Sequence, residues 1–265
     1  MKRQVILMAA LAAFAGPAVA GGGSDPQALK LIAQLKAASG GAALDKPVAF
    51  HEQGEFVRDG VPGTYDAYGD LRAMRTMAIH RFKDHVDRGG FDGHDAWRQG
   101  SDNVVRRISD PTERSIARLD AYLTLGGYFY PNRFPAIFHA EGQRFADGRL
   151  YDVVTVIPAG ADNVHLWLDA HSHRLARMTT DSERQAYAEV SDYRQVDGAW
   201  VGFANHETEP GHVTDMKLTS FRYTPVDPAT FTPPVEGGVM TGRTKAATRG
   251  PGDRRGLSAR SPSAV

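Results

Sequence analysis

Ten histidines and no cysteine set the terms on which this chain could do chemistry. Without thiols, a metal would have to be held by imidazole and carboxylate, and covalent catalysis would fall to a hydroxyl or an amine. The histidines pair most closely as His80 with His85, His171 with His173, and His206 with His212. His171 and His173 could chelate from one strand face, because side chains at i and i+2 point the same way. They sit, however, in Asp169-Ala170-His171-Ser172-His173-Arg174, which reads as a polar turn between two strands, and no third ligand follows from spacing; the sequence predicts no metal site. The carboxylate pairs Asp181 with Glu183 and Glu207 with Glu209 read as solvated loop or strand-end positions. Gly-x-Ser-x-Gly, Ser-x-x-Lys, Asp-Thr-Gly, Asp-Ser-Gly, Gly-x-Gly-x-x-Gly and the phosphate-binding loop do not occur. No catalytic residue and no cofactor is therefore expected, and the chain reads as a binding protein, not an enzyme.

The informative side chains are apolar. Trp97, Leu123, Tyr128, Phe129 and Trp167 are the candidate lining of a ligand cavity, within a wider inventory of Trp200, Phe203 and Phe221. Such residues enclose a space only if the backbone curves around them. Four Asp-Gly pairs say that it does: Asp59-Gly60, Asp92-Gly93, Asp147-Gly148 and Asp197-Gly198. Asp-Gly suits a type I′ hairpin turn, which needs φ > 0 at both central residues.

The segments 48–57, 64–72, 75–87, 94–99, 136–145, 150–157, 164–169, 174–180, 185–196, 200–207 and 213–223 have strand composition. A curved antiparallel meander of about ten to twelve strands is expected, too many to stay flat, forming an unclosed barrel in a mainly β, α+β fold. Two helices interrupt it. The first is capped by Ser24 or Asp25, has Pro26 at its first position, carries Leu29, Ile32 and Leu35, and ends at Gly40-Gly41. The second opens with Asp110-Pro111-Thr112-Glu113 in capping-box order and presents Ile116, Leu119, Tyr122 and Leu123 before Gly126-Gly127. Spanning Pro111 to Leu125, it is the natural insertion, plug or lid.

The ends read differently from the body. Lys2 and Arg3, the apolar run Val5–Phe14 and the small residues Ala18-Val19-Ala20 form a signal peptide over residues 1–20, with cleavage expected after Ala20. With no cysteine at that site there is no acyl anchor, and no stable membrane anchor is expected. Residues 21–234 read as one domain, and 235–265 as a disordered basic tail rich in Gly, Ser, Pro, Ala and Arg. Setting aside the signal and residues 236–265, the body carries 23 cations against 29 anions. A body that acidic is a poor partner for nucleic acid, where phosphate attraction dominates.

The order of signal, helix, long strands, helical insertion and further strands resembles the LolA/LolB-like superfamily of exported carriers. Local segments carry the likeness: Leu35–Asp45, Gly90-Phe91-Asp92-Gly93-His94-Asp95-Ala96-Trp97 and Leu166-Trp167-Leu168-Asp169, which are similar to outer membrane lipoprotein-sorting-like proteins. The resemblance covers about residues 26–223. It implies a periplasmic half-barrel whose apolar concavity, covered by helices, receives a lipid-like or acylated ligand. Lacking the anchoring cysteine of the LolB type, the chain compares better with the soluble LolA type. A rival expectation is a non-catalytic adaptor that meets an envelope protein partner through the sheet edge or the concave face.

Overall fold

The computed structural model describes residues 23–180 and 187–235. The signal segment, the pair Asp181/Glu183, and the tail beyond Val235 lie outside the described residues. Among the described residues one antiparallel sheet of 13 strands dominates the fold. Its first group is β1 (Ala49–Arg58), β2 (Val61–Asp70), β3 (Arg75–Arg81), β4 (Val86–Phe91), β5 (Ala96–Gln99) and β6 (Val105–Arg107). Its second is β7 (Ala136–Ala146), β8 (Arg149–Pro158), β9 (Val164–Asp169), β10 (Leu175–Thr179), β11 (Tyr187–Val196), β12 (Ala199–Glu209) and β13 (His212–Tyr223). Helix α1 (Pro26–Ala38) precedes β1, and α2 (Pro111–Thr124) links β6 to β7.

Sequence neighbours pair, as the turns predict. The exception is the seam: β1 pairs with β13, so the order runs β6 to β1 and then β13 to β7. The two edges, β6 and β7, are consecutive in the chain and do not pair, which leaves the barrel unclosed with α2 as the link across the gap. Bulges at Gln53/Gly54, Ala140/Gly142 and Leu175/Arg177 bend the sheet further.

Three of the four Asp-Gly pairs have φ > 0 at both residues, with Asp59, Asp147 and Asp197 near +50°. Asp92-Gly93 is different. Its hairpin pairs Phe91 with Ala96 across a four-residue loop, and the Asp92 carboxylate accepts from the backbone N–H groups of His94 and Asp95. The segment 75–87 is not one strand: Phe82 N–H bonds to His85 C=O and folds it into the β3–β4 hairpin. That split, together with the short β6, raises the number of strands to 13.

Both helices start as their caps require. The Asp25 carboxylate accepts from Ala28 N–H, and the Asp110 carboxylate from Thr112 and Glu113 N–H. The buried face of α1 is Ala28, Leu31, Ile32 and Leu35, at helical spacing i, i+3, i+4 and i+7; Leu29, expected on that face, is exposed. The main core joins this face to Leu119, Tyr122 and Leu125 of the α2 region and to Phe138, Val154, Val156, Val164, Leu166 and Leu168 of β7 to β9. Helix α1 lies along β7 and β8, while α2 lies against β3, β4 and β5. Among the described residues the two helices thus lie over the ends of the sheet and leave its central strands open.

Candidate functional site

Over the uncovered strands lies a cavity of about 1030 Å³, comparable to spaces that hold a drug-sized or larger apolar ligand. Its wall is built from the concave faces of β1, β2, β3, β11, β12 and β13, and α2 and the turn after it close one side. The wall stays thin because its rings lie flat. Phe50, Phe56 and Tyr65 sit opposite Gly69, Gly63 and Gly54 in the β1–β2 register. A Cβ at those glycines would come within 2.2 Å, 2.3 Å and 2.4 Å of the facing ring. Only glycine admits the ring to the strand surface, so these aromatics pave the concavity without filling it. The short Ala67 and Ala78 continue the paving.

The residues picked from sequence divide by sheet face. Leu123, Tyr128 and Phe129 line the cavity, with the Tyr128 and Phe129 rings 4.6 Å apart. Trp97 and Trp167 do not line it, and this corrects the expectation. Trp97 shares its face of the sheet with Gly90, where an added Cβ would lie 3.0 Å from its Nε1; the preceding residue, Ala96, is the one that packs toward α2 with Ala121. In β9 the aliphatic row Val164, Leu166 and Leu168 turns to the helices, so period two sends Trp167 to the convex side. There its Nε1–H donates to Thr179 Oγ1 at 2.9 Å, between the guanidinium groups of Arg144 and Arg177.

The carboxylates at Glu207 and Glu209 are also corrected: both line the cavity, as do Glu52 on β1 and Asp120 on α2. Burial pushes Glu52 and Glu209 up to about 7. Burial likewise raises Asp120 well above the usual carboxyl range, reinforced by the nearby charges of Glu207 and Glu209. Glu207 is raised by burial and accepts a hydrogen bond from Asn205 Nδ2 at 2.6 Å. Among the histidines, His80 faces the cavity edge-on to Phe56, and burial, then the charge of Arg58, lowers it to about 4. His85 pairs with Asp84 and Asp87, His206 with Asp215, and His212 with Asp59. His171 and His173 lie in the Asp169 turn. Among the described residues no three His, Asp or Glu side chains gather as a metal site would need.

A strongly curved open sheet with a helix at each end and a hollow centre is the LolA-like fold. A domain from Vibrio parahaemolyticus described as an outer membrane lipoprotein-sorting protein domain superposes with TM-score 0.54 at 13% identity, over 77% of this chain and 96% of that one. A LolA superfamily protein from Nitrosomonas europaea gives 0.53 at 12%, over 77% and 97%. A DUF1329 family protein from Desulfovibrio piger gives 0.52 at 14%, over 79% and 98%. No family model matches the chain, and no curated protein matches its sequence.

Proposed function

We propose that this protein is a periplasmic, non-enzymatic carrier or sensor that holds a lipid-like, acyl or other hydrophobic ligand in its half-barrel, within lipid or lipoprotein trafficking toward the outer membrane. The observation that carries the reading is the 1030 Å³ cavity with its glycine-backed aromatic wall. A sheet that needed only stability would fill that volume with side chains. Leu123, Tyr128 and Phe129 would contact the ligand from the α2 side. The cationic Lys2-Arg3, the apolar run 5–14 and Ala18-Val19-Ala20 support export with cleavage after Ala20; N-terminal sequencing of the mature protein from cell envelopes tests that step. The adaptor reading has less room at the β7 edge, where Phe138 N–H already donates to Ser24 Oγ and Ala140 N–H to the Asp25 carboxylate.

Uptake of a neutral polarity-sensitive naphthyl dye, followed by fluorescence, tests the carrier reading, with native mass spectrometry of the purified protein to find a resident apolar ligand. Ala188 lines the cavity on β11. Ala188→Trp should weaken dye binding by about tenfold or more, roughly 1.4 kcal/mol, while Trp167→Ala on the convex face should leave it unchanged. A protein that takes up no dye and carries no ligand would not be a carrier.

A further inference from the structure

One row of the cavity wall is polar without being bonded. Tyr65 on β2, His80 on β3 and Asp87 on β4 stand side by side, Tyr65 opposite His80 and His80 opposite Asp87, and all three line the cavity. Residues directly opposite share a face of the sheet, and neighbouring strands lie about 4.8 Å apart, so the three side chains form one strip. The Tyr65 and His80 rings stack at 6.0 Å, and Phe56 meets His80 edge-on at 5.5 Å.

Polar groups set into an apolar wall ordinarily find protein partners. Among the described residues the Tyr65 hydroxyl makes no hydrogen bond, and neither ring nitrogen of His80 makes one. Both groups open onto the cavity. Asp87 closes the strip: its Oδ2 lies 3.3 Å from His85 Nε2, and its Oδ1 is buried without a partner. Water can serve the phenol and the imidazole while the cavity is empty. A ligand that fills the cavity expels that water and must replace its hydrogen bonds or leave both groups unmet, at a cost in affinity.

The strip dictates what the replacement must be. The Tyr65 O–H needs an acceptor. His80, kept neutral by its apolar setting, has one nitrogen that donates and one that accepts. A carboxylate or phosphate only accepts, and it would stand beside the Asp87 carboxyl. An ammonium only donates and leaves the Tyr65 O–H unmet. A hydroxyl does both.

On the carrier reading above, we infer that the ligand is an uncharged amphiphile with a hydroxyl-bearing head: its apolar body lies on the paving of Phe50 and Phe56, and its hydroxyl groups bond to Tyr65 and His80.

Displacement of the naphthyl dye at pH 7 by 1,2-decanediol, decyl methyl ether, decanoate and decyltrimethylammonium, each kept in free solution, tests this. The diol should bind at least about tenfold more tightly than either charged compound. In Tyr65→Phe/His80→Leu the diol should lose at least about tenfold in affinity while the ether changes less than about threefold. Tyr65→Phe keeps the ring and removes only the hydroxyl, so if the double variant does not fold by circular dichroism, this change alone should still cost the diol about threefold. Equal losses for diol and ether, or no loss for the diol in a folded variant, would overturn the assignment to this strip. A charged compound matching the diol would overturn the class of ligand. Dye uptake without displacement by the diol would overturn the inference and leave the carrier reading standing, whereas no dye uptake would end both.

Discussion

Strands β7 to β9 and strands β1, β2, β12 and β13 belong to one sheet with one alternation, yet their concave faces end differently. On the first, Val154, Val156, Leu166 and Leu168 are at most 1% exposed under α1 and α2. On the second, Phe56, Tyr65 and Ala67 back onto glycines or one another, with Met216, Leu218 and Glu207 beside an open cavity. Branched aliphatics project from a sheet and demand a cover, whereas rings laid over glycine and short alanines do not. The hollow is thus made by side-chain choice as much as by where the helices reach. Carboxyl groups complete the contrast, since they stand only where a space remains beside them.

Truncation should expose the difference most strongly. Leu166→Ala in the covered region should cost about 2–5 kcal/mol in chemical denaturation, because the neighbours cannot collapse into the space left. Met216→Ala, facing the cavity, should cost less than about 1.5 kcal/mol, since it widens a space already present. Equal losses would mean that the central strands are as tightly packed as the covered ones.

The pH dependence should come from the uncovered region and is smaller. Glu52 lies at about 7 in the folded protein against an ordinary 4.5, so the folded state holds the proton more tightly than the unfolded chain does. Its stabilising contribution is complete below about 4.5 and is lost as pH rises through about 7. Between those limits the wild type should lose on the order of 2 kcal/mol relative to Glu52→Gln, read from denaturation curves at each pH. Parallel profiles for the two proteins would place Glu52 in water. Smallest is the cap of α2, the helix beside both regions: Asp110→Ala should remove about 1 kcal/mol and leave dye uptake within twofold.

Much of this contrast was legible in the residues, and its gaps have a pattern. Asp59-Gly60, Asp147-Gly148 and Asp197-Gly198 announced their hairpins because a turn is decided by the residues that make it. The hairpin at Phe82-Lys83-Asp84-His85 carries neither glycine nor proline, so it passed for strand. Trp97 and Trp167 read as cavity residues because they are large and aromatic, but only a partner element decides which face of a strand is inside. Glu207 and Glu209 looked like strand-end solvation because the alternation of one strand does not reveal Asp120 on a helix 87 residues from Glu207, counting by residue number. The glycines at 54, 63 and 69 were the signal within reach: strand glycines opposite aromatics mark rings lying flat.

The seam between β1 and β13 governs time as well as shape. Asp59 and His212, which meet across it, lie 153 residues apart, and the N–H of Asp25 waits for the carbonyl of Phe138. A chain made from its N-terminus has β1 to β6 in hand long before the strand that must flank β1 exists. Hairpins can form early, but the sheet acquires its full width only with its last strand, so the topology makes for slow folding with a late, concerted final step. Until then the edge of β1 stays bare, and a chain ending before His212 would carry that exposed edge permanently.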